Sequence, residues 1–301
     1  MAAPFRVVVL ANKLKKEVTD ALTDLRPWLE QRARIVAEPD ITSLDPEGAS
    51  EFPEADLALV LGGDGTLLAQ ARNLADLDLP VLGVNFGKVG FLAEFQMDDL
   101  QRHWDQIAGG RCRCSDRLLL EVMIFDADAA DCRADRLDEA HLKGRSLAMN
   151  DAVVTAGTPF RMIELDLSID PVGSQTRATR FAGDGVIIAT ASGSTAYNLN
   201  AGGAIVSPGV DALCITPICP QSLSFRPVII NASSGVAVRV SRANEGTMLV
   251  VDGQVSFRLE SDDQVYVCRY ERSIRLIHNP RLNYWKTLAK KMHWAARPRR
   301  G

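Results

Sequence analysis

The 301-residue chain lacks an apolar run long enough to cross a bilayer, for which about 20 residues are needed. It also lacks a positive segment ahead of its first apolar stretch, MAAPFRVVVLANKLKK, which therefore reads as a first strand rather than a signal peptide. Cysteine is sparse. The six residues, Cys112, Cys114, Cys132, Cys214, Cys219 and Cys268, form no CxxC pair, and the four histidines show no ligand spacing. This pattern excludes a disulfide framework and a structural zinc, and is read as that of a reduced, cytoplasmic protein with no membrane partner. A net charge of −4 argues against a general nucleic-acid binder, although a local basic groove is compatible with it.

Familiar nucleotide and nucleophile signatures are missing as well. No GxxxxGK[ST] loop occurs; the nearest stretch, Gly83-Val-Asn-Phe-Gly87-Lys88-Val89, is one residue short and lacks the hydroxyl. No GxGxxG follows a strand, so a standard Rossmann dinucleotide site is not indicated. No GxSxG elbow is present, and no serine has a partnered histidine in its pattern.

What is present is a globular composition, 47% hydrophobic and 24% charged, in a chain long enough for one large domain or two ordinary ones. The first hundred residues alternate. Residues 5–12, 33–38, 55–62 and 79–85 are strand-like, while 13–31, 66–77 and 97–110 are helix-like, with Pro27 a break or second start in the first helix. Apolar strands alternating with helices imply a parallel sheet covered on both faces. After about residue 111 the pattern becomes a series of about eight short strand-like segments separated by turn residues. The polar segment 126–146 between them reads as an exposed hairpin extension or loop. The helix-like tail, 283–294, needs an apolar partner, for which the α/β half is the natural candidate. The expected fold is thus an α/β domain over 1–110, completed by about 275–301, and a β-rich domain over 111–274.

Several blocks carry chemistry. Gly62-Gly63-Asp64-Gly65-Thr66 ends a strand and opens a helix-like pattern. Backbone N–H groups at such a place attract phosphate, glycines leave room for it, and Thr66 is a candidate helix cap. Asp64 is either a capping residue in a tight turn or a carboxylate facing a cleft. Asn85-Phe-Gly87-Lys-Val-Gly90-Phe91 is a second glycine-rich loop, with Phe91 a core candidate. Asn150-Asp151, both poor strand formers, are either a turn pair or partners for ribose hydroxyls. Residues 182–208 hold a second GDG, then Ser192-Gly193-Ser194-Thr195-Ala196-Tyr197, then Ala201-Gly202-Gly203; small residues there allow a flat ring against the backbone, and Tyr197 can stack on it. TPICPQSLSFRP, with three prolines at 217, 220 and 227, argues against a regular central strand. Arg226 and Gln254 read equally as ligand contacts or surface groups.

Taken in order, GGDGT, NxGxxGF, the Asn-Asp pair, DG…GSTAY…AGG, TPICP and DGQ resemble the NAD kinase family from about residue 55 to the end. GGDGT is shared with lipid and sugar kinases; GSTAY and TPICP make the resemblance specific. It implies the α/β plus β-rich fold with the site between the domains. It also implies transfer of the terminal phosphoryl group of ATP, or of polyphosphate, to the 2′-hydroxyl of the adenosine ribose of NAD. Mg²⁺ would be carried by the donor phosphates with no direct protein ligand, and the assembly would be a homodimer or homotetramer. By the resemblance, Asp64 is the proton acceptor, Gly62, Gly63, Gly65 and Thr66 form the phosphate loop, and Asp64, Gly65, Asn150, Asp151, Arg161, Asp184, Thr195, Ala196, Tyr197, Asn200 and Gln254 contact NAD. Three departures stand out: Asp151 where glutamate is commoner, Gln221 where many members carry histidine, and Ala182 where some bacterial members carry arginine. No lysine or arginine is identifiable from the sequence as the charge stabiliser of phosphoryl transfer. A lipid or sugar kinase sharing GGDGT, and a non-catalytic NAD(P) sensor, are the alternative readings.

Overall fold

The structure, a computed structural model, describes residues 4–39, 41, 44, 52–87, 90–129, 137–170 and 177–294. Lys88 and Val89 of the glycine-rich block, Cys132, and residues 130–136 of the polar segment lie outside them. The chain opens with β1 (Arg6–Ala11), α1 (Lys16–Glu30), β2 (Arg34–Ala37), β3 (Leu57–Leu61), α2 (Asp64–Leu74), β4 (Pro80–Val84) and α3 (Met97–Ala108). The four strands pair in parallel in the order β2-β1-β3-β4. β3 is buried at all five positions, which is why LALVL is uninterrupted rather than alternating. Helix α1 buries Val18, Leu22, Leu25 and Leu29, one stripe at helical spacing, and α3 does the same with Leu100, Trp104 and Ile107. Pro27 does not interrupt α1: Leu25 and Leu29 are fully buried on either side of it, and their packing carries the helix through.

The remainder contains β5 (Cys114–Phe125), β6 (Leu142–Ala148), β7 (Asp151–Thr155), β8 (Ile163–Ile169), β9 (Arg177–Gly183), β10 (Gly185–Thr190), α4 (Tyr197–Asn200), β11 (Ala212–Ile218), β12 (Val228–Asn231), β13 (Val236–Arg242), β14 (Met248–Val251), β15 (Val255–Arg258), β16 (Gln264–Ile277) and α5 (Tyr284–Lys291). These are more strands than the turn signals suggested, because several apolar runs fold back as hairpins. The polar segment leads from β5 into β6, which pairs with it as a hairpin. The two longest strands, β5 and β16, pair antiparallel along their length and belong to both halves of the molecule. The first part of β16 pairs with β13, whereas Arg275 and Leu276 near its end run parallel to Pro80 and Val81 of β4. The parallel sheet is thereby continuous with the antiparallel run β16-β13-β8-β9.

A second sheet, in the order β12-β11-β10-β7-β14-β15, packs on that run. Leu165, Val238 and Val265 of one sheet and Val154, Ile188 and Ile215 of the other share one core. Contrary to the expectation from its prolines, TPI forms the end of β11, with Pro217 opposite Val186. β12 pairs with β11 only from Ala212 to Ile215. At Pro217 β11 is therefore an edge, where a missing N–H breaks no ladder. Among the described residues no helix is long and apolar enough to cross a membrane.

α5 docks on the α/β half through Leu288, which is fully buried, and through Tyr284, whose ring lies 5.9 Å from that of Phe91. Asn283 caps it, accepting from the backbone N–H of Trp285 and Lys286. Leu288→Ala should lower the unfolding free energy by about 2–4 kcal/mol in urea titration; a loss under about 1 kcal/mol would show that α5 contributes little to the fold.

Candidate active site

The GGDGT loop lies where β3 turns into α2. Gly62 donates its N–H to Val84 O at 2.9 Å, and a Cβ on Gly62 would sit 2.4 Å from Thr66 Oγ1. The turn is therefore too tight for any side chain there. Thr66 does not cap the helix. It is the third helical residue, and Gly63 holds the cap position with no side-chain bond, leaving the first N–H groups of α2 without a capping side chain. Asp64 does not stand alone. Its Oδ2 accepts from Phe91 N (2.8 Å), and its Oδ1 from Leu92 N (3.1 Å) and Ala93 N (2.8 Å). The carboxylate thus pins the second glycine-rich loop to the first. Gly90 is required by this approach, since a Cβ there would fall 1.8 Å from Asp64 Oδ1.

Asn150 and Asp151 sit where β6 passes into β7, and their backbone is held by a residue from another strand pair. Asp252, with Gly253, forms the hairpin turn between β14 and β15; both residues have positive φ, the conformation an Asp-Gly pair tolerates best. The Asp252 carboxylate, fully buried, accepts from the N–H groups of Met149 (2.9 Å), Asn150 (2.7 Å) and Asp151 (3.1 Å). Arg72 of α2, 5% exposed, stands behind it with Nη1 3.7 Å from Asp252 Oδ2. The same guanidinium donates to Gln254 Oε1 at 2.9 Å, and Gln254 Nε2 donates to Gly65 O at 2.7 Å. One turn thus joins the Asn-Asp pair to the GGDGT helix. Burial pushes the Asp252 carboxyl up and the Arg72 guanidinium down from their ordinary ranges. Asp151, 4% exposed, is raised to about 7, first by burial and then by the charge of Asp252.

The GSTAY loop is built on buried hydroxyls and one amide. Thr190 Oγ1 donates to Met149 O (2.6 Å) and accepts from Gly193 N (3.0 Å), tying the loop to the Asn-Asp segment. Ser194 Oγ donates to Ala191 O and accepts from Val206 N. Asn198, fully buried, donates to Ser194 O and Ala204 O and accepts from Thr216 Oγ1 at 2.6 Å. Two of the loop's conspicuous polar residues, Ser194 and Asn198, are therefore spent on shape. Tyr197 is left 46% exposed with its ring available.

A cleft of about 390 Å³ collects Asn150, Asp151, Ala196 and Tyr197 with Thr155 and Asp252 on its wall. A second, of about 340 Å³, has Gly63, Gly65 and Thr66 on its wall. Thr195 is half-buried, with its hydroxyl on Ser192 O at 3.4 Å. Arg161, Asp184 and Asn200 are exposed and lie off the wall of the first cleft. Gln221 is exposed and donates its N–H to Ala182 O, so these two departures from the family pattern are neighbours. Among the described residues no group of three or more His, Cys, Asp or Glu side chains is placed to hold a metal ion. Sequence reasoning missed Arg72 and gave Asp252, the first residue of DGQ, no role of its own. The signal for Arg72 was a guanidinium in the helix that follows GGDGT; α2 is buried nearly all round, so that charge had to be paired.

The raised Asp151 pKa sets a sign for pH dependence. The folded chain holds this proton up to about pH 7, the unfolded chain only to the ordinary value of 3.8. The associated stability is present in acid and is lost as pH rises through 7. Asp151→Asn should therefore gain in melting temperature over the parent at about pH 8 but not at about pH 4; an equal difference at both would show that Asp151 is not held protonated by the fold.

Residues 7–112 match the family model of the ATP-NAD kinase N-terminal domain, and residues 149–279 that of the ATP-NAD kinase C-terminal domain. An NAD kinase of Rhodopirellula baltica is 35% identical over 296 residues, 98% of this chain and 88% of the relative. An NAD kinase of Azoarcus sp. is 35% identical, with 99% of each chain covered. Among solved structures, yeast NADH kinase complexed with NADH superposes with a TM-score of 0.80 at 26% identity, covering all of this chain and 91% of that one. An NAD kinase from Archaeoglobus fulgidus in complex with ATP superposes with a TM-score of 0.68 at 23% identity, covering 96% of this chain and 99% of that one, a likeness of fold.

Proposed function

The chain belongs to the NAD kinase family, and on that premise we propose that it transfers the terminal phosphoryl group of ATP to the 2′-hydroxyl of the adenosine ribose of NAD, giving NADP. The observation that carries this reading is the joint made by Gln254, which connects the dinucleotide cleft to the GGDGT loop through Arg72 and Gly65. Acceptor and donor sites share one rigid wall, which is what in-line transfer requires. The two domains divide near residues 110 and 274, with 275–301 returning to the first.

In this reading Asn150 and Asp151 hold ribose hydroxyls, and Tyr197 stacks on the adenine beside Ala196. Asp64 meets the 2′-hydroxyl. Its Oδ2 carries a single amide bond, from Phe91, so one lone pair is free to take or orient the hydroxyl proton. Gly62, Gly63, Gly65 and Thr66 bound the phosphates, and Mg²⁺ arrives with the donor as part of the substrate. Thr195 and Gln254 shape the cleft from behind. Arg161, Asp184 and Asn200, exposed and off its wall, contact NAD across a subunit boundary in a homodimer or homotetramer. The edge strand β12, with Val228 and Ile229 half-exposed, supports such an assembly. The enzyme works in the cytoplasm.

The test is incubation of the pure protein with ATP, Mg²⁺ and NAD, read as NADP formed, beside reactions offering diacylglycerol as acceptor or polyphosphate as donor. Asp64→Asn should bind NAD nearly as the parent does and turn over slower by a factor on the order of 10² or more. Full activity in that variant would remove Asp64 from the chemistry.

A further inference from the structure

The parallel sheet has a point where its connections part. From β1 the chain passes through α1 to β2 on one side, and from β3 through α2 to β4 on the other. Ligands of open α/β sheets bind in the crevice at the carboxyl ends of the strands where this reversal occurs. Here that crevice is the cleft of about 340 Å³ walled by Asn12, Lys15, Gly63, Gly65, Thr66 and Gln70. It is separate from the Asn150-Asp151 cleft, whose wall ends at Gly253; the next residue, Gln254, donates to the Gly65 carbonyl and so links the two.

Three observations say what this cleft takes. Two helices, α1 and α2, start at it, and neither has a capping side chain, so N–H groups at both starts are free for an anion. Lys15 is the one charged residue among the described residues on the wall. Among the described residues it makes no ion pair, whereas Lys13 two residues earlier is paired with Glu38 at 2.9 Å. Gln70 is 2% exposed, lies on the wall, and its Oε1 has no hydrogen-bond partner among the described residues. A buried carboxamide oxygen left without a partner is costly unless a ligand supplies one.

The positions also have an order. Gly63, Thr66 and Gln70 fall on one side of α2, and from the first to the last the helix rises about 10 Å. A triphosphate whose terminal group lies at the glycines would run along this distance and bring its sugar to Gln70. Resting on the kinase reading above, in which the GGDGT glycines bound the donor phosphates, we propose that Lys15 is the cation neutralising the donor's phosphate chain and that Gln70 is the residue that recognises its nucleoside. Lys15 supplies the charge that no motif in the sequence identified. Gln70 makes the subsite one for a nucleoside triphosphate in preference to a bare phosphate chain, because its amide oxygen needs a hydroxyl or amino group to receive and inorganic polyphosphate offers neither.

The test is titration calorimetry of the full chain with Mg·ATP, with Mg·tripolyphosphate and, separately, with NAD. Lys15→Ala should weaken both phosphate ligands about tenfold and leave NAD binding unchanged, and Lys15→Arg should restore most of the loss. Gln70→Met, of similar shape, should weaken ATP about fivefold or more, leave tripolyphosphate unchanged, and melt no lower than the parent, since it removes an unpaired buried acceptor. A merely structural Gln70 would instead lower the melting temperature and disturb all three ligands alike. ATP binding unaffected by Lys15→Ala would overturn the cation assignment, and equal weakening of ATP and tripolyphosphate by Gln70→Met would overturn the nucleoside assignment. A parent that binds ATP through Lys15 yet makes no NADP would refute the kinase reading and leave the donor subsite standing. A parent that makes NADP with both variants unimpaired would do the reverse.

Discussion

One buried carboxylate holds the two halves of the site in register. Asp252 collects three successive amides at residues 149–151 and lies against the Arg72 guanidinium of α2. A turn at the tip of a hairpin would ordinarily be a mobile, solvated feature. Here it is driven into the interior, and its neighbour Gln254 continues the joint to the helix start at Gly65. Ion pairs of this kind return little net stability once desolvation is counted. What this one supplies is position: removing either charge would leave the other buried and uncompensated, so the arrangement has one low-energy geometry.

That geometry is affordable because the larger frame is already rigid. β5 and β16 run through both halves and carry the parallel sheet into the antiparallel one, so the cleft walls are extensions of a common sheet. Polar groups near the site follow the same logic on a smaller scale. Thr190, Ser194, Asn198 and Thr216 are all buried and all hydrogen-bonded to backbone or to one another, which fixes the loop bearing Ala196 and Tyr197 before any ligand arrives. The Asp64 clamp on residues 91–93 does the same for the opposite wall.

Legibility from the amino-acid order differed by the range of the interaction. The strands and helices of the α/β half were readable because periodicity is local, and the glycine-rich blocks because a tight turn allows few residues. Pro27 and Pro217 misled for a shared reason: proline's cost depends on what lies beside it. Packing on either side carries α1 past the first, and the early end of β12 leaves the second on an edge. The role of Ser194 was obscured because a hydroxyl spent on the backbone looks the same in sequence as one offered to a ligand.

The amino-acid sequence by itself determined the fold class, the family and the set of loops around the site, since these rest on spacing within short segments. Only the tertiary structure decided which polar side chains face which partners. Arg72 and Asp252 are 180 residues apart and meet only because α2 packs under the β14–β15 turn; Asp151 acquires its raised pKa from burial that no local pattern specifies. Lys15 and Gln70 become members of one crevice for the same reason. Parallel strands bring the ends of β1 and β3 side by side, and the connections that part there leave the space between them open.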